Sequence, residues 1–208
     1  MDAAATLALP GILAAVLLGA MSPGPSFLLV ARIAIAGSRR DGLAAALGMG
    51  LGAVLFGALA LFGLHAILAQ VAWLRRSLEV LGGLYLLWLA VTLWRGAGHP
   101  ATMTAPAGGH SAGLVRAFAL GLATQISNPK TAMVYGGIFA ALLPADPPVW
   151  LLTSLPPAIL LIEAGWYAVV ALAFSSGRPR AAYLSSKSWL DRAAGSVMGA
   201  LGLRLIVQ

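Results

Sequence analysis

The sequence predicts an all-α integral membrane protein with six transmembrane helices in a 3+3 inverted repeat, the first and fourth helices broken at proline motifs. Three observations lead there. Hydrophobic residues make up 60% of the 208 positions and charged residues 9%, far from the balance of a soluble domain. Apolar runs of about 20 residues, the length that crosses a hydrocarbon core, occur six times along the chain. Two of those runs are interrupted by proline near their centres. A mean hydropathy of +0.91 also excludes a disordered chain, which needs low hydrophobicity and high charge.

The first run covers about residues 7–35 and is interrupted at Ser22-Pro23-Gly24-Pro25. The chain opens with Asp2 rather than a basic segment, and its apolar run continues past Ala20, so we expect a retained span and not a secretory signal. The second run, about 42–68, is apolar almost throughout, and the third is about 78–94. The polar stretch from Arg95 to Gly113 is too short, and too rich in Gly, Pro and Ala, to build a soluble domain. The fourth run, about 114–143, is interrupted at Asn128-Pro129-Lys130, and the fifth and sixth cover about 149–174 and 189–207. Trp73, Trp94, Trp150 and Trp189 fall near run ends, where an amphipathic ring suits the headgroup level.

Two landmarks divide the chain. Trp73-Leu74-Arg75-Arg76 with Gly83 is echoed by Trp189-Leu190-Asp191-Arg192 with Gly199, and the two interruptions align Ser22 with Ser127. The expected organisation is one membrane domain over 1–208: repeat one at 1–95, a cytoplasmic loop at 96–113 and repeat two at 114–208. Three spans per repeat is an odd number, so the second half must enter the membrane with opposite polarity.

The charge of +7, from thirteen Lys and Arg against six Asp and Glu, reads as orientation signal rather than as a nucleic-acid surface. With the N-terminus outside, the inside loops carry Arg32, Arg39, Arg40, Arg95, Arg116, Arg178, Arg180, Lys187 and Arg192, and the outside only Arg75, Arg76 and Arg204. Both termini are expected to be periplasmic. Zero cysteines exclude disulfides, Cys-ligated zinc and thiol catalysis.

Proline has no N–H, so Pro23, Pro25 and Pro129 release the carbonyls of Gly19, Met21 and Gln125. Irregular backbone at membrane depth is tolerated only where protein or a water-filled cavity meets it. Gly24 between two prolines lets the chain turn and a ligand approach, and the half-helix beginning near Ser26 aims a positive dipole end at that cavity. A plain kink would explain one such break; two at equivalent places in a repeat point to a binding site.

Lys130 lies near the middle of the fourth run, where an ammonium costs at least ~2.5–3.5 kcal/mol, so it should face a cavity or an acidic partner. Glu163, in the middle of the fifth, is the one acidic residue comparably deep. The two can form a buried pair or meet the two ends of a zwitterionic substrate, and either can carry a coupling proton. Ser22, Gln125, Ser127 and Asn128 adjoin the breaks and are candidate ligands for a polar substrate. Glu79 follows Arg75 by four residues and suits an interfacial ion pair, Asp146 suits a loop turn, and His65, His99 and His110 are too scattered for a metal site. No cofactor is expected. Gly48-x-x-x-Gly52 and Gly195-x-x-x-Gly199 permit close helix contact, within the chain or between copies in a homo-oligomer.

Met21-Ser22-Pro23-Gly24-Pro25, Ser127-Asn128-Pro129-Lys130 and the stretch from Gly195 to Leu205 together resemble the lysine exporter and homoserine/threonine resistance (LysE/RhtB) family of bacterial amino-acid exporters. The resemblance covers essentially the whole chain in length, span number and motif order. It implies secondary active export of amino acids or their derivatives across the inner membrane, coupled to protons or another ion. On the family pattern Pro23, Gly24 and Pro25 shape the site, and Asn128, Pro129 and Lys130 mirror them from the second repeat. One departure stands out. Many relatives carry an acidic residue after the glycines of the second span, where this chain has Gly52-Ala53-Val54, and the repeat places Ala53 opposite Glu163. Only one of an acidic pair is then kept, which tilts the expected substrate toward neutral amino acids.

Two other readings differ in kind. Export of a cation or other small metabolite shares the architecture and changes only the ligand. An intramembrane enzyme would need a nucleophile with a base, or metal ligands, at membrane depth, and no histidine or aspartate is central in a run.

Overall fold

A computed structural model of the chain describes residues 3–22, 24–36, 38–68, 72–97, 113–144, 146–175 and 177–207. Among them are eight helices and no strand: α1 Ala3–Met21, α2 Pro25–Ala36, α3 Arg39–Leu68, α4 Ala72–Gly96, α5 Leu114–Ile126, α6 Pro129–Leu142, α7 Val149–Phe174 and α8 Gly177–Val207. The side chains of His65, Arg75 and Glu79, and the whole of His99 and His110, lie outside the described residues.

Local chemistry sets the helix ends. The Ser38 hydroxyl accepts the Asp41 N–H at 3.1 Å and caps α3. Helices α2 and α6 begin at Pro25 and Pro129, in the first turn, where a missing N–H costs nothing. Both expected interruptions are present: α1 stops at Met21 before α2 begins, with a 57° bend between them, and Ser127 and Asn128 separate α5 from α6.

Hydropathy alone recovers less than six spans. By length and composition, α3 over Arg39–Leu61 and α7 over Val149–Phe174 can each cross a membrane, and α1 with α2 makes a third as a bent pair. The expected fifth run coincides with α7, whereas α4 begins at Ala72 and α8 at Gly177, both well before their apolar stretches. A helix continues wherever its backbone bonds do, so polar stretches such as Arg75-Arg76-Ser77 early in α4 and Ser185-Ser186-Lys187 within α8 are invisible to an apolar window. The outer surface remains apolar: Leu59, Leu81, Trp88, Leu161 and Trp189 are exposed, as suits contact with acyl chains.

Helix α3 packs mainly on α5 and α7, and α4 mainly on α8, while α1 and α2 both lie against α7. Glycine makes these contacts close. A Cβ on Gly48 would run into the Phe118 carbonyl and one on Gly121 into the Ala45 carbonyl, so α3 and α5 meet backbone to backbone. Gly83 and Gly202 do the same for α4 and α8, each facing the other's carbonyl oxygen at 2.8 and 2.7 Å from the ideal Cβ position. The sequence of contacts fixes direction. Gly42 faces Ala171 and Gly50 faces Ala164, so α3 and α7 are antiparallel, and Gly83 facing Gly202 with Gly195 facing Trp94 makes α4 and α8 antiparallel. Arg76 in the first turns of α4 donates to the Leu205 and Ile206 carbonyls at 3.3 and 2.7 Å, filling acceptors left open at the end of α8.

These contacts predict a contrast among glycines. Gly48→Ala and Gly121→Ala should each cost about 1–3 kcal/mol by overpacking and lower the melting temperature in detergent. Gly136→Ala and Gly165→Ala, where a Cβ meets nothing within 4 Å, should leave it unchanged or raised.

Candidate functional site

The two interruptions face each other across one buried polar cavity. Six of the residues expected from sequence line it: Ser22 and Gly24 from the first break, Gln125, Asn128 and Lys130 from the second, and Glu163 from the middle of α7. Its free volume is about 20 Å³, room for one water. Pro25 and Pro129 are exposed and sit outside the lining, where they start α2 and α6. Pro23 lies outside the described residues. Ser127, an expected ligand, is exposed and turns its hydroxyl back to the Ala123 carbonyl at 2.7 Å, which takes it out of the site.

A continuous hydrogen-bond relay runs through the cavity wall. The Asn128 side-chain oxygen accepts the Lys130 N–H at 3.0 Å and so caps α6. Its amide nitrogen donates to Ser26 Oγ at 2.9 Å, the Ser26 hydroxyl donates to Gln125 Oε1 at 2.6 Å, and Gln125 Nε2 donates to Glu163 Oε2 at 3.4 Å. Tyr135 completes it by donating its hydroxyl to Glu163 Oε1 at 3.1 Å. Gly52 on α3 makes the room: a Cβ there would lie 2.7 Å from that of Gln125. Four helices, α2, α5, α6 and α7, are thereby joined through side chains that are almost wholly buried, Gln125 at 1% and Glu163 at 3% exposure.

Lys130 and Glu163 line the same cavity without an ion pair between them. The Lys130 ammonium instead donates to the Gly19 carbonyl at 3.3 Å and the Ser22 carbonyl at 3.0 Å. Gly19 is the residue whose helical donor Pro23 would have supplied, so a freed acceptor of one break is met by a cation from the other. Another of the three expected acceptors, the Gln125 carbonyl, takes the Asn128 N–H at 3.2 Å. The Ser22 hydroxyl is different: it is buried at 3% exposure on the cavity wall and has no hydrogen-bond partner among the described residues.

Ser26, Thr131, Tyr135 and Tyr167 also line the cavity and were not foreseen. Helical spacing marks three of them, since Tyr135 follows Thr131 by four and Tyr167 follows Glu163 by four, each pair on one face. No group of three His, Cys, Asp or Glu side chains is placed to hold a metal ion among the described residues.

An apolar-surfaced helical bundle with two interrupted helices closing on a buried polar cavity is the build of a membrane transport protein. The chain belongs to the LysE type translocator family, whose model it matches over residues 17–208. It is similar to the threonine efflux protein of Escherichia coli K12, 32% identical over 188 residues that cover 90% of this chain and 91% of that one. The threonine efflux protein of Salmonella typhi is likewise 32% identical, over 195 residues and the same shares. The membrane protein YahN of Escherichia coli K12 is 32% identical over 189 residues, covering 90% of this chain and 83% of its own. No solved structure matches.

The relay predicts separable losses at Asn128. Asn128→Ala removes both the α6 cap and the donor to Ser26, and should cost about 2–4 kcal/mol in detergent unfolding. Asn128→Asp keeps the cap oxygen but puts an acceptor where Ser26 needs a donor, so part of the loss should return.

Proposed function

We propose that the protein is a secondary active exporter of small neutral amino acids, threonine-like ones among them, across the bacterial inner membrane. The observation that carries this reading is the meeting of both helix breaks at one buried cavity that presents an ammonium, Lys130, and a carboxylate, Glu163. Charge of both signs at one cavity suits a zwitterion, with Lys130 facing its carboxylate end. Family membership and the threonine efflux relatives support an amino-acid substrate. The wall is otherwise apolar or neutral, with Val16, Ala20, Phe27 and Val134, which suits a small uncharged side chain.

The chain is read as six spans in two inverted halves, repeat one at 1–95 and repeat two at 114–208, with 96–113 as a cytoplasmic loop. The packing supports this division: α3 lies antiparallel on α7 and α4 antiparallel on α8, and both pairs join elements in corresponding places of the two halves. Both termini are read as periplasmic. Arg76, which counted against that orientation, is engaged with the end of α8 and so has a structural use beyond topology.

Ser22, Gly24, Gln125, Asn128, Lys130 and Glu163 form the substrate site in this reading, with Pro23, Pro25 and Pro129 shaping the backbone around it. Glu163, the end of the relay, is the group assigned to proton coupling. A single carboxylate among the described residues of the wall, with Ala53 fully buried on α3 where the family resemblance leads us to expect an acid, favours neutral over cationic cargo.

Purified protein in liposomes loaded with labelled threonine tests the reading. Efflux should follow an imposed proton gradient and stop when it is dissipated. Lys130→Ala and Glu163→Gln should each cut transport about tenfold or more, the worth of a hydrogen bond to a charged group, while eluting as folded protein. Transport unaffected by both substitutions removes the site assignment, and no transport of any amino acid by the unmodified protein removes the function.

A further inference from the structure

We propose that the main-chain carbonyls of Gly19 and Ser22 are the subsite for the α-ammonium of the transported amino acid, and that the Lys130 ammonium holds that place until substrate displaces it. The inference rests on the transport reading above and assigns one end of the substrate to particular atoms.

Two carbonyls from the first break converge on one ammonium, at 3.3 and 3.0 Å. The Gly19 oxygen lacks its helical donor because Pro23 has no N–H, and Ser22 lies beyond the last residue of α1. Such a pair of acceptors recognises a compact cation with several N–H donors, which describes a lysine ammonium and an amino acid's α-ammonium equally well. The carboxylate in the cavity does not claim Lys130, since its oxygens are held by Tyr135 and Gln125.

Space makes displacement necessary. About 20 Å³ holds one water, and an amino acid of threonine's size needs several times that. Gln125 and Glu163 are buried and tied into the relay, whereas Lys130 is half-buried on a long flexible stem. Its approach passes over Gly24, where a Cβ would sit 3.4 Å from Nζ. When a zwitterion enters, one ammonium replaces another at the carbonyls, and the released lysine is left to meet the incoming carboxylate. The unpartnered Ser22 hydroxyl, at the edge of this subsite, is free to bind the same substrate.

Isopropanolamine, which is threonine without its carboxylate, separates the two ends. Lys130→Met keeps the stem and empties the subsite, so calorimetry should show isopropanolamine binding about tenfold tighter than to the unmodified protein, while threonine, deprived of its carboxylate partner, binds no tighter. Isopropanolamine binding that is unchanged, weaker or undetectable in the variant overturns the proposal. A second measurement needs no variant: in the unmodified protein, saturating isopropanolamine should raise the rate at which acetic anhydride acetylates Lys130 several-fold relative to Lys187 in the same sample, a ratio that corrects for reagent consumed by the amine itself, read by peptide mass spectrometry. A rate that stays level or falls overturns the proposal as well. Threonine efflux from liposomes by the unmodified protein is scored independently, so its presence with failed amine results removes only the subsite, and its absence removes the transport reading.

Discussion

A carbonyl that loses its helical N–H partner inside an apolar medium must be met by another donor, because water is not at hand and an unmet polar group costs several kcal/mol. The first break creates this debt at Gly19, and the chain answers it with the ammonium of Lys130, from the far side of the sequence. Much of the centre follows from that contact. It draws the start of α6 against the end of α1, which sets Asn128 beside Ser26 and gives the relay its first link. Without a cation at Lys130 the break would be a defect, and without the break the cation would have no acceptors.

Close approach of helices is the second condition. The relay spans four helices with side chains of ordinary length, so their axes cannot stand far apart. Glycine on α3 provides the proximity: Gly48 and Gly52 admit α5, including the stem of Gln125, and Gly42 and Gly50 admit α7, which carries Glu163. Helix α3 contributes no hydrogen-bonding side chain to the relay, yet it brings the relay's members within reach.

The parts of this arrangement differ in how plainly the sequence shows them. The breaks were legible because Pro23, Pro25 and Pro129 stand beside Gly24 and Asn128 near the centres of their runs, whereas Pro10, Pro156 and Pro157 stay inside α1 and α7. Lys130 and Glu163 were legible because charge is rare at depth. Their partners were not. Sequence reasoning sets charge against charge, whereas the lysine's acceptors are main-chain carbonyls that every residue possesses, and the glutamate's are a tyrosine and a glutamine. Ser127 looked equivalent to Ser22 by position, yet its hydroxyl bonds its own helix while that of Ser22 stays in the cavity wall, a difference set by the turn and not by residue type. The small-residue motifs announced close packing without naming the surface: Gly48 and Gly52 meet α5, and Gly195 meets the ring of Trp94.

The relay also limits how the site can vary. Asn128 spends its oxygen on the cap of α6, so its nitrogen must face Ser26; the serine proton then points to Gln125, whose own nitrogen is left for Glu163. Only one wiring satisfies every member, and changing any link disturbs the next. Variation in cargo therefore falls to neighbours that carry no hydrogen bonds. Val16, Ala20 and Val134 border the same space, and exchanging them would remould its contour while the circuit behind them stays as it is.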